Sequence, residues 1–268
     1  MEAGATMMDS GSSRPAVAAP RYSLPPCRFM NEDVLFCVDV DVESKMEMKL
    51  SGPKGRPFTR LDAIRQAILL FVHSKLSINS DHRFAFSVLG QSVSWLRKEF
   101  SNDVDSARAA LHSLTAADSP YGIADLTQLF RIAAHEGKKS RAQGRHLRVI
   151  LIYCRSSLRP QHQWPVSQKL FTFDVIYLHD KPGPENCPQR VYDALVDALE
   201  HVSEYEGYIL ESGHGLSRVL FRHISVLLSH PQQRCVQDDL DIPKSLTRKS
   251  PLPTEASQSE ESVPVSSQ

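Results

Sequence analysis

The sequence predicts a three-layer α/β domain, in which a doubly wound, mostly parallel sheet with one antiparallel edge hairpin lies between two layers of helices. Short continuous apolar runs, typical of strands covered on both faces, alternate along the chain with apolar residues at helical spacing. Two neighbouring strands are joined by only Gly90-Gln91-Ser92, a link so short that it forces an antiparallel hairpin. Such alternation produces a parallel sheet covered by helices.

The elements follow from the apolar periodicity and from capping residues. Thr59 and Asp103 are of the types that cap helices, and each precedes an apolar pattern with helical spacing. In chain order we expect strands at 34–38, 84–89, 93–96, 147–153, 173–179 and 208–210, and helices at 61–76, 103–114, 120–133, 191–202 and 216–228.

The ends of the chain differ in composition from its centre. Residues 1–30 are rich in Pro, Ser, Ala and Gly, and residues 236–268 are rich in Ser, Pro and acidic side chains. Such segments cannot bury enough apolar surface to offset the entropy of ordering them. We therefore expect two disordered tails around one folded domain at 31–235, a length that is ordinary for a single α/β domain.

Composition limits the possible functions. The 31 Lys and Arg residues balance the 31 Asp and Glu residues, which argues against bulk electrostatic binding of nucleic acid or a membrane surface. No apolar stretch approaches the roughly 20 residues that span a bilayer, and the N-terminus lacks a secretory signal. The five cysteines show no Cys-x-x-Cys spacing, so neither a disulfide framework nor a zinc ribbon is expected. These observations predict a soluble intracellular protein.

Three carboxylates follow the first strand at alternate positions, Asp39, Asp41 and Glu43. Ligands bind at the carboxyl ends of parallel strands, and clustered carboxylate oxygens suit Mg²⁺ or Ca²⁺. However, the central strand ends in Cys154-Arg155-Ser156, and an arginine there would repel a divalent ion. We therefore expect a degenerate site without metal, in which Asp39 caps backbone and the other two acids are solvated or face Arg155. Weak cation binding is the alternative.

Catalytic motifs are missing from the sequence. It contains no His-x-His, His-Glu-x-x-His or Gly-x-Ser-x-Gly pattern, and neither Cys154 nor Cys187 has a neighbouring histidine in sequence. We expect no catalytic residues, no cofactor and no enzymatic activity. A basic stretch is expected to form a loop that is either solvated or in contact with phosphate or an acidic partner; its members are Lys138, Lys139, Arg141, Arg145 and Arg148.

The order of elements resembles the von Willebrand factor A domain, in which a strand ending in Asp-x-Ser-x-Ser is followed by a long helix, a hairpin and further strand–helix units. That family binds Mg²⁺ at its strand tips. Only Asp39 matches the motif, because Asp41 and Glu43 stand in place of the two serines. The resemblance therefore implies the fold, with a broken metal site.

A closer resemblance depends on Trp95-Leu96, the central strand 149–155 with Pro160-Gln161 after it, the strand 173–179, and the segment 227–234. Over about residues 31–236 the chain resembles the BRISC and BRCA-A complex member 1 family. The resemblance implies a non-catalytic scaffold that binds a ubiquitin-fold subunit, the brain-and-reproductive-organ-expressed protein. It also implies complexes whose JAMM metalloprotease cleaves non-degradative ubiquitin chains, in the cytoplasm and, during DNA damage repair at chromatin, in the nucleus.

The segment after the last helix is the candidate docking peptide. Pro231 is expected to end the helix and to hold the chain extended, and Arg234 to offer a forked donor to a partner. We predict partner docking through His230, Pro231, Gln233 and Arg234; a plain helix stop before a tail is the simpler interpretation. The alternative functions are a metal-dependent adhesion-type domain, a ubiquitin receptor and an enzyme whose catalytic residues are dispersed along the chain.

Overall fold

A computed structural model describes residues 29–48, 58–165, 169–184, 186–213, 215 and 217–240. The strands are β1 (Asn31–Asp39), β2 (Glu47–Met48), β3 (Phe58–Thr59), β4 (Arg83–Leu89), β5 (Val93–Ser101), β6 (Arg145–Tyr153), β7 (Thr172–Leu178) and β8 (Ile209–Ser212). The helices are α1 (Arg60–Ile78), α2 (Val104–His112), α3 (Thr127–Ala142), α4 (Pro188–Val202) and α5 (Ser217–Val226). The predicted tails at 1–28 and 241–268 lie outside the described residues.

Six strands form one sheet in the order β5-β4-β1-β6-β7-β8. The pair β4–β5 is antiparallel and the other neighbours are parallel. The strand order reverses at β1, which places the topological switch point at the carboxyl end of that strand. The predicted fold class, including the edge hairpin, is confirmed.

Two hydrophobic clusters cover the two faces of the sheet. Along β1, Val34 and Phe36 face one cluster, to which α1, α2 and α5 contribute. Leu35 and Cys37 face the other cluster, which contains residues of α3 and α4. Because successive side chains of a strand point to opposite faces, the continuous apolar run of β1 is buried on both sides.

Local capping signals hold α1 and α2 in place. Thr59 accepts a hydrogen bond from the amide of Asp62, and the Asp62 carboxylate accepts from the amide of Thr59 in return, which is a capping box. The Asp103 carboxylate accepts from the amides of Asp105 and Ser106. Both predicted helix starts are therefore confirmed.

The third helix begins later than predicted. The sequence placed its start after Pro120, but α3 starts at Thr127. The preceding residues pair instead with a distant segment, since the amide of Leu126 donates to the Gln161 carbonyl and the amide of Gln161 donates to the Ala124 carbonyl, both at 2.8 Å. Ile123 is exposed. A long-range backbone contact thus overrides the helical pattern of this stretch.

The basic stretch is not a loop, and this prediction was wrong. Its first three members lie in the last turns of α3, and Arg145 and Arg148 lie on β6, with Gly144 at φ 66° between them. Four of the five cations have partners within the chain: Lys139 with Glu136, Arg141 with Glu204, Arg145 with Asp33 and Arg148 with Asp174. Most of its charge is therefore neutralised internally.

The described part of the chain contains no helix that is both long and apolar enough to cross a membrane. Ordered contacts continue past the expected domain boundary at residue 235. A short 3-10 turn occupies Gln237–Asp239, and Leu240 packs against the core.

Candidate functional site

The crevice at the strand tips is centred on an ion pair between Asp39 and Arg155. Asp39 is the last residue of β1, and Arg155 follows the end of β6 with a side chain that is 1% exposed. The Arg155 Nε lies 3.1 Å from both carboxylate oxygens of Asp39, and Nη2 lies 3.0 Å from Oδ1. The amides of Asp41 and Cys154 also donate to this carboxylate. Asp39 therefore caps backbone, as expected, and Arg155 neutralises its charge.

Arg155 also binds the loops around the crevice. Its Nη1 donates to the Ile123 carbonyl at 2.7 Å, and Nη2 donates to the carbonyls of Leu89 and Gly90. Its guanidinium carbon lies 5.5 Å from the ring centroid of Tyr121. One side chain thus connects the ends of β1, β4 and β6 with the segment that precedes α3.

The other two acids of the predicted site have separate partners. Asp41 is buried, accepts from the amides of Glu43 and Tyr121, and lies 3.8 Å from Arg155. Glu43 accepts from the amide and the hydroxyl of Ser156, the latter at 2.6 Å. Asp41 therefore faces Arg155, one of the two expected arrangements, whereas Glu43 turns away towards Ser156.

These residues do not fit a divalent ion. The carboxylate oxygens that a metal would need already accept hydrogen bonds, and a guanidinium stands among them. The described residues include no group of three or more His, Cys, Asp or Glu side chains that could hold a metal.

One of the two candidate nucleophiles, Cys154, stands in an unreactive environment. Cys154 is buried at the end of β6, and burial raises the pKa of its thiol. A thiol with a raised pKa stays protonated, whereas the thiolate is the nucleophile. Cys187 is exposed at the start of α4.

The docking candidates fold back onto the domain. His230 is buried, with its Nε2 3.0 Å from the Met30 carbonyl, and Pro231 is buried at the start of a 3-10 turn. Arg234 has a fully buried side chain that makes two hydrogen bonds to Asp174, at 2.6 and 3.1 Å. Gln233 is exposed.

The predicted role of Arg234 therefore needs a correction. Its guanidinium is not offered to a partner, because Asp174 is fully buried on β7 and requires a counter-charge. The same guanidinium lies 4.3 Å from the ring centroid of Tyr208 and donates to the Glu206 carbonyl. Arg234 fixes the segment to the domain, and Gln233 remains on the outside.

Arg234 belongs to a buried charge cluster that the sequence analysis missed; its members are Glu32, Lys75, Arg148, Asp174 and Arg234. Burial alone would raise the pKa of Asp174, but Arg148 and Arg234 lower it to about 2. Arg148 and Lys75 likewise overcome burial and lower the pKa of Glu32 to about 2. A signal was present in the sequence, because a charge inside a strand that is covered on both faces must have a buried partner.

The end of the described chain protects the edge strand β8. The side-chain amide of Gln237 donates to the Ile209 carbonyl at 2.8 Å, and its oxygen accepts from the Ile209 amide at 2.7 Å. One side chain thus takes the place of a neighbouring strand at this position.

The sheet order, the flanking helices and the acid at the tip of β1 define a von Willebrand factor A-like domain. The D319A mutant of the PilB minor pilin from Streptococcus sanguinis shares the fold, with a TM-score of 0.50 and 11% identity over 76% of this chain and 62% of the pilin. The von Willebrand A domain of SpRpn10 aligns with a TM-score of 0.45 and 15% identity, over 78% of this chain and 100% of that domain.

Within this class, the chain is similar to proteins named BRISC and BRCA1-A complex member 1. It is 25% identical to the Rattus norvegicus protein, over 84% of this chain and 69% of the relative. It is 26% identical to the Homo sapiens protein, over 82% of this chain and 68% of that protein. No protein-family model matches the chain. The resemblance identified from the sequence is confirmed.

Proposed function

We propose that the chain is a non-catalytic scaffold subunit that assembles and stabilises a deubiquitinase complex of the BRISC or BRCA1-A type. The observation that carries this proposal is the similarity, over more than four-fifths of the chain, to relatives named as members of those complexes. The crevice agrees with it, because Arg155 occupies the place where a metal-dependent ligand site would lie. In this proposal, the chain acts by binding other proteins through its own surface.

The proposed partners are the ubiquitin-fold brain-and-reproductive-organ-expressed subunit and, through it, a JAMM metalloprotease that cleaves non-degradative ubiquitin chains. The proposed locations are the cytoplasm and the nucleus, with a role in DNA repair at damaged chromatin. Within the docking segment, we assign partner contact to the exposed Gln233 and Val236. His230, Pro231 and Arg234 would hold the segment in position.

The test is affinity purification of the intact chain followed by mass spectrometry. Recovery of the metalloprotease together with the ubiquitin-fold subunit is expected, and the proposal is wrong if neither is recovered. A second assay incubates the purified chain alone with ubiquitin chains. Cleavage there would contradict the non-catalytic role, whereas direct ubiquitin binding would favour a ubiquitin receptor.

A test of docking through this segment requires substitutions that leave the buried Arg234–Asp174 pair intact. Truncation after Ser229 would remove Arg234 and so report on stability as well as on docking. The double variant Gln233→Ala with Val236→Ala changes only exposed side chains and is expected to reduce recovery of the partner subunit. The matched control is Gln66→Ala with Leu70→Ala, an exposed pair of similar types on α1. Equal recovery by both variants would contradict docking through this segment.

A further inference from the structure

The guanidinium of Arg155 lies within a shell of oxygen atoms. Its hydrogen-bond acceptors among the described residues are both Asp39 carboxylate oxygens and the carbonyls of Leu89, Gly90 and Ile123. A shell made of carboxylate and carbonyl oxygens is the environment that a hard cation such as Ca²⁺ takes in proteins.

The oxygens of this shell come from separate parts of the chain. Asp39 ends β1, Leu89 ends β4 with Gly90 directly after it, and Ile123 precedes α3. Asp39 is fully buried, and a buried carboxylate without a counter-charge is strongly destabilising. The guanidinium therefore both neutralises a buried charge and joins three segments.

We propose that Arg155 is the resident cation of this crevice, performing the structural work that a bound metal ion would perform. Its side chain neutralises Asp39 and orients the surrounding carbonyls, so the crevice is complete without an external ion. It follows that a chain without this side chain contains a vacancy lined by carboxylate and carbonyl oxygens that a free cation can fill.

The opposite end of the sheet offers a matched comparison. Arg148 is also fully buried and pairs with the carboxylates of Asp174 and Glu32. There, however, Arg234 and Lys75 also pair with those carboxylates. Removing the Arg148 side chain would leave two internal cations beside two carboxylates, so no external cation is required. Arg148→Ala is therefore the control for a buried arginine whose loss creates no cation site.

The experiment compares the thermal unfolding of the full chain and its variants in chelator, in Ca²⁺ or Mn²⁺, and in guanidinium at concentrations far below denaturing ones. Arg155→Ala is expected to have a lower midpoint than the unmodified chain. A cation present at about 100 times its Kd should raise that midpoint by about 5 °C or more. The unmodified chain and Arg148→Ala should not respond.

The double variant Asp39→Asn with Arg155→Ala should lose most of the response, because an amide replaces the carboxylate that contacts the guanidinium directly. Should Arg155→Ala fail to fold, the measurement becomes its refolding yield with and without Ca²⁺ or guanidinium, and recovery with either cation supports the proposal. The proposal is overturned if Arg155→Ala folds and none of the cations raises its unfolding midpoint. It is equally overturned by a refolding yield that no cation improves, or by a response of equal size in the unmodified chain.

Discussion

Arg234 and Asp174 form a bidentate ion pair across 60 residues of sequence, and both side chains are completely buried. Arg148 donates to the same carboxylate at 2.6 Å. Asp174 is thus the anion that holds two buried arginines, one on the central strand β6 and one in the C-terminal segment. The segment after α5 is therefore part of the domain's core structure.

Removing this shared anion should cost more stability than removing one of its cations. Asp174→Asn leaves two buried guanidinium groups short of their counter-charge, and we expect it to lower the free energy of unfolding by about 3–5 kcal/mol. Arg234→Ala should cost less, because Arg148 still neutralises Asp174. Urea unfolding of the full chain measures both variants.

The control for this prediction is Arg108→Ala, which removes an exposed pair with Asp105 on α2. Exposed pairs of this kind contribute about 0.3–0.5 kcal/mol. If Asp174→Asn and Arg108→Ala lower the free energy of unfolding by similar amounts, the buried Asp174 pair stabilises the domain no more than an exposed pair does.

Gln237→Ala should expose the edge of β8. The substitution deletes two hydrogen bonds to the backbone of Ile209, each worth about 0.5–1.5 kcal/mol. We expect the free energy of unfolding to fall by about 1–3 kcal/mol and hydrogen exchange at the Ile209 amide to become faster. Gln233→Ala, an exposed glutamine nearby in sequence, should change neither quantity. Unchanged exchange at Ile209 in Gln237→Ala would show that another group protects this edge.

Gly137→Ala should destabilise the domain although alanine is the better helix former. A Cβ at position 137 of α3 would lie 2.5 Å from the Leu170 carbonyl oxygen, a backbone atom that cannot move freely. We expect a cost of about 1–3 kcal/mol from overpacking. Gly122→Ala is the matched control, because the described residues place no atom within 4 Å of its added Cβ. Thermal unfolding compares the two, and equal midpoints would refute the predicted steric conflict.

Acid should destabilise the domain in two stages. Burial lowers the pKa of His82, His146 and His223 to about 4, whereas the pKa of an unfolded histidine is about 6.5. As the pH falls, the unfolded state therefore binds protons at a higher pH than the folded state does. This part of the stability is complete above about pH 6.5 and is lost as the pH falls towards 4, by up to about 1.4 kcal/mol per pH unit for each histidine.

The second stage involves Asp174 and Glu32, whose pKa values of about 2 lie below those of unfolded carboxyls. Their contribution is present above about pH 4.5 and is lost as the pH falls towards 2. Unfolding free energies from pH 7 to 3 test both stages. His146→Gln should make the first stage shallower, because it removes one of the three histidines, whereas the exposed His135→Gln should not. An unfolding free energy of the unmodified chain that stays constant between pH 6.5 and 4 would contradict the first stage.

The sequence by itself determined the fold class, both helix caps and the position of the strand-tip acids. These features depend on local signals, namely apolar periodicity, the three-residue hairpin link and the capping residues Thr59 and Asp103. The resemblance to the complex-member family was also visible in the sequence, since it depends on short motifs that can be read without coordinates.

Only the tertiary structure decided where α3 begins and which charges meet. The start at Thr127 depends on backbone pairing with Gln161, and the burial of Arg234 depends on Asp174, which lies on β7. Periodicity cannot predict either contact, because each joins segments that are far apart in sequence and adjacent only after the sheet has assembled. For the same physical reason, a residue expected to reach outwards to a partner is used inside the domain to neutralise a buried acid.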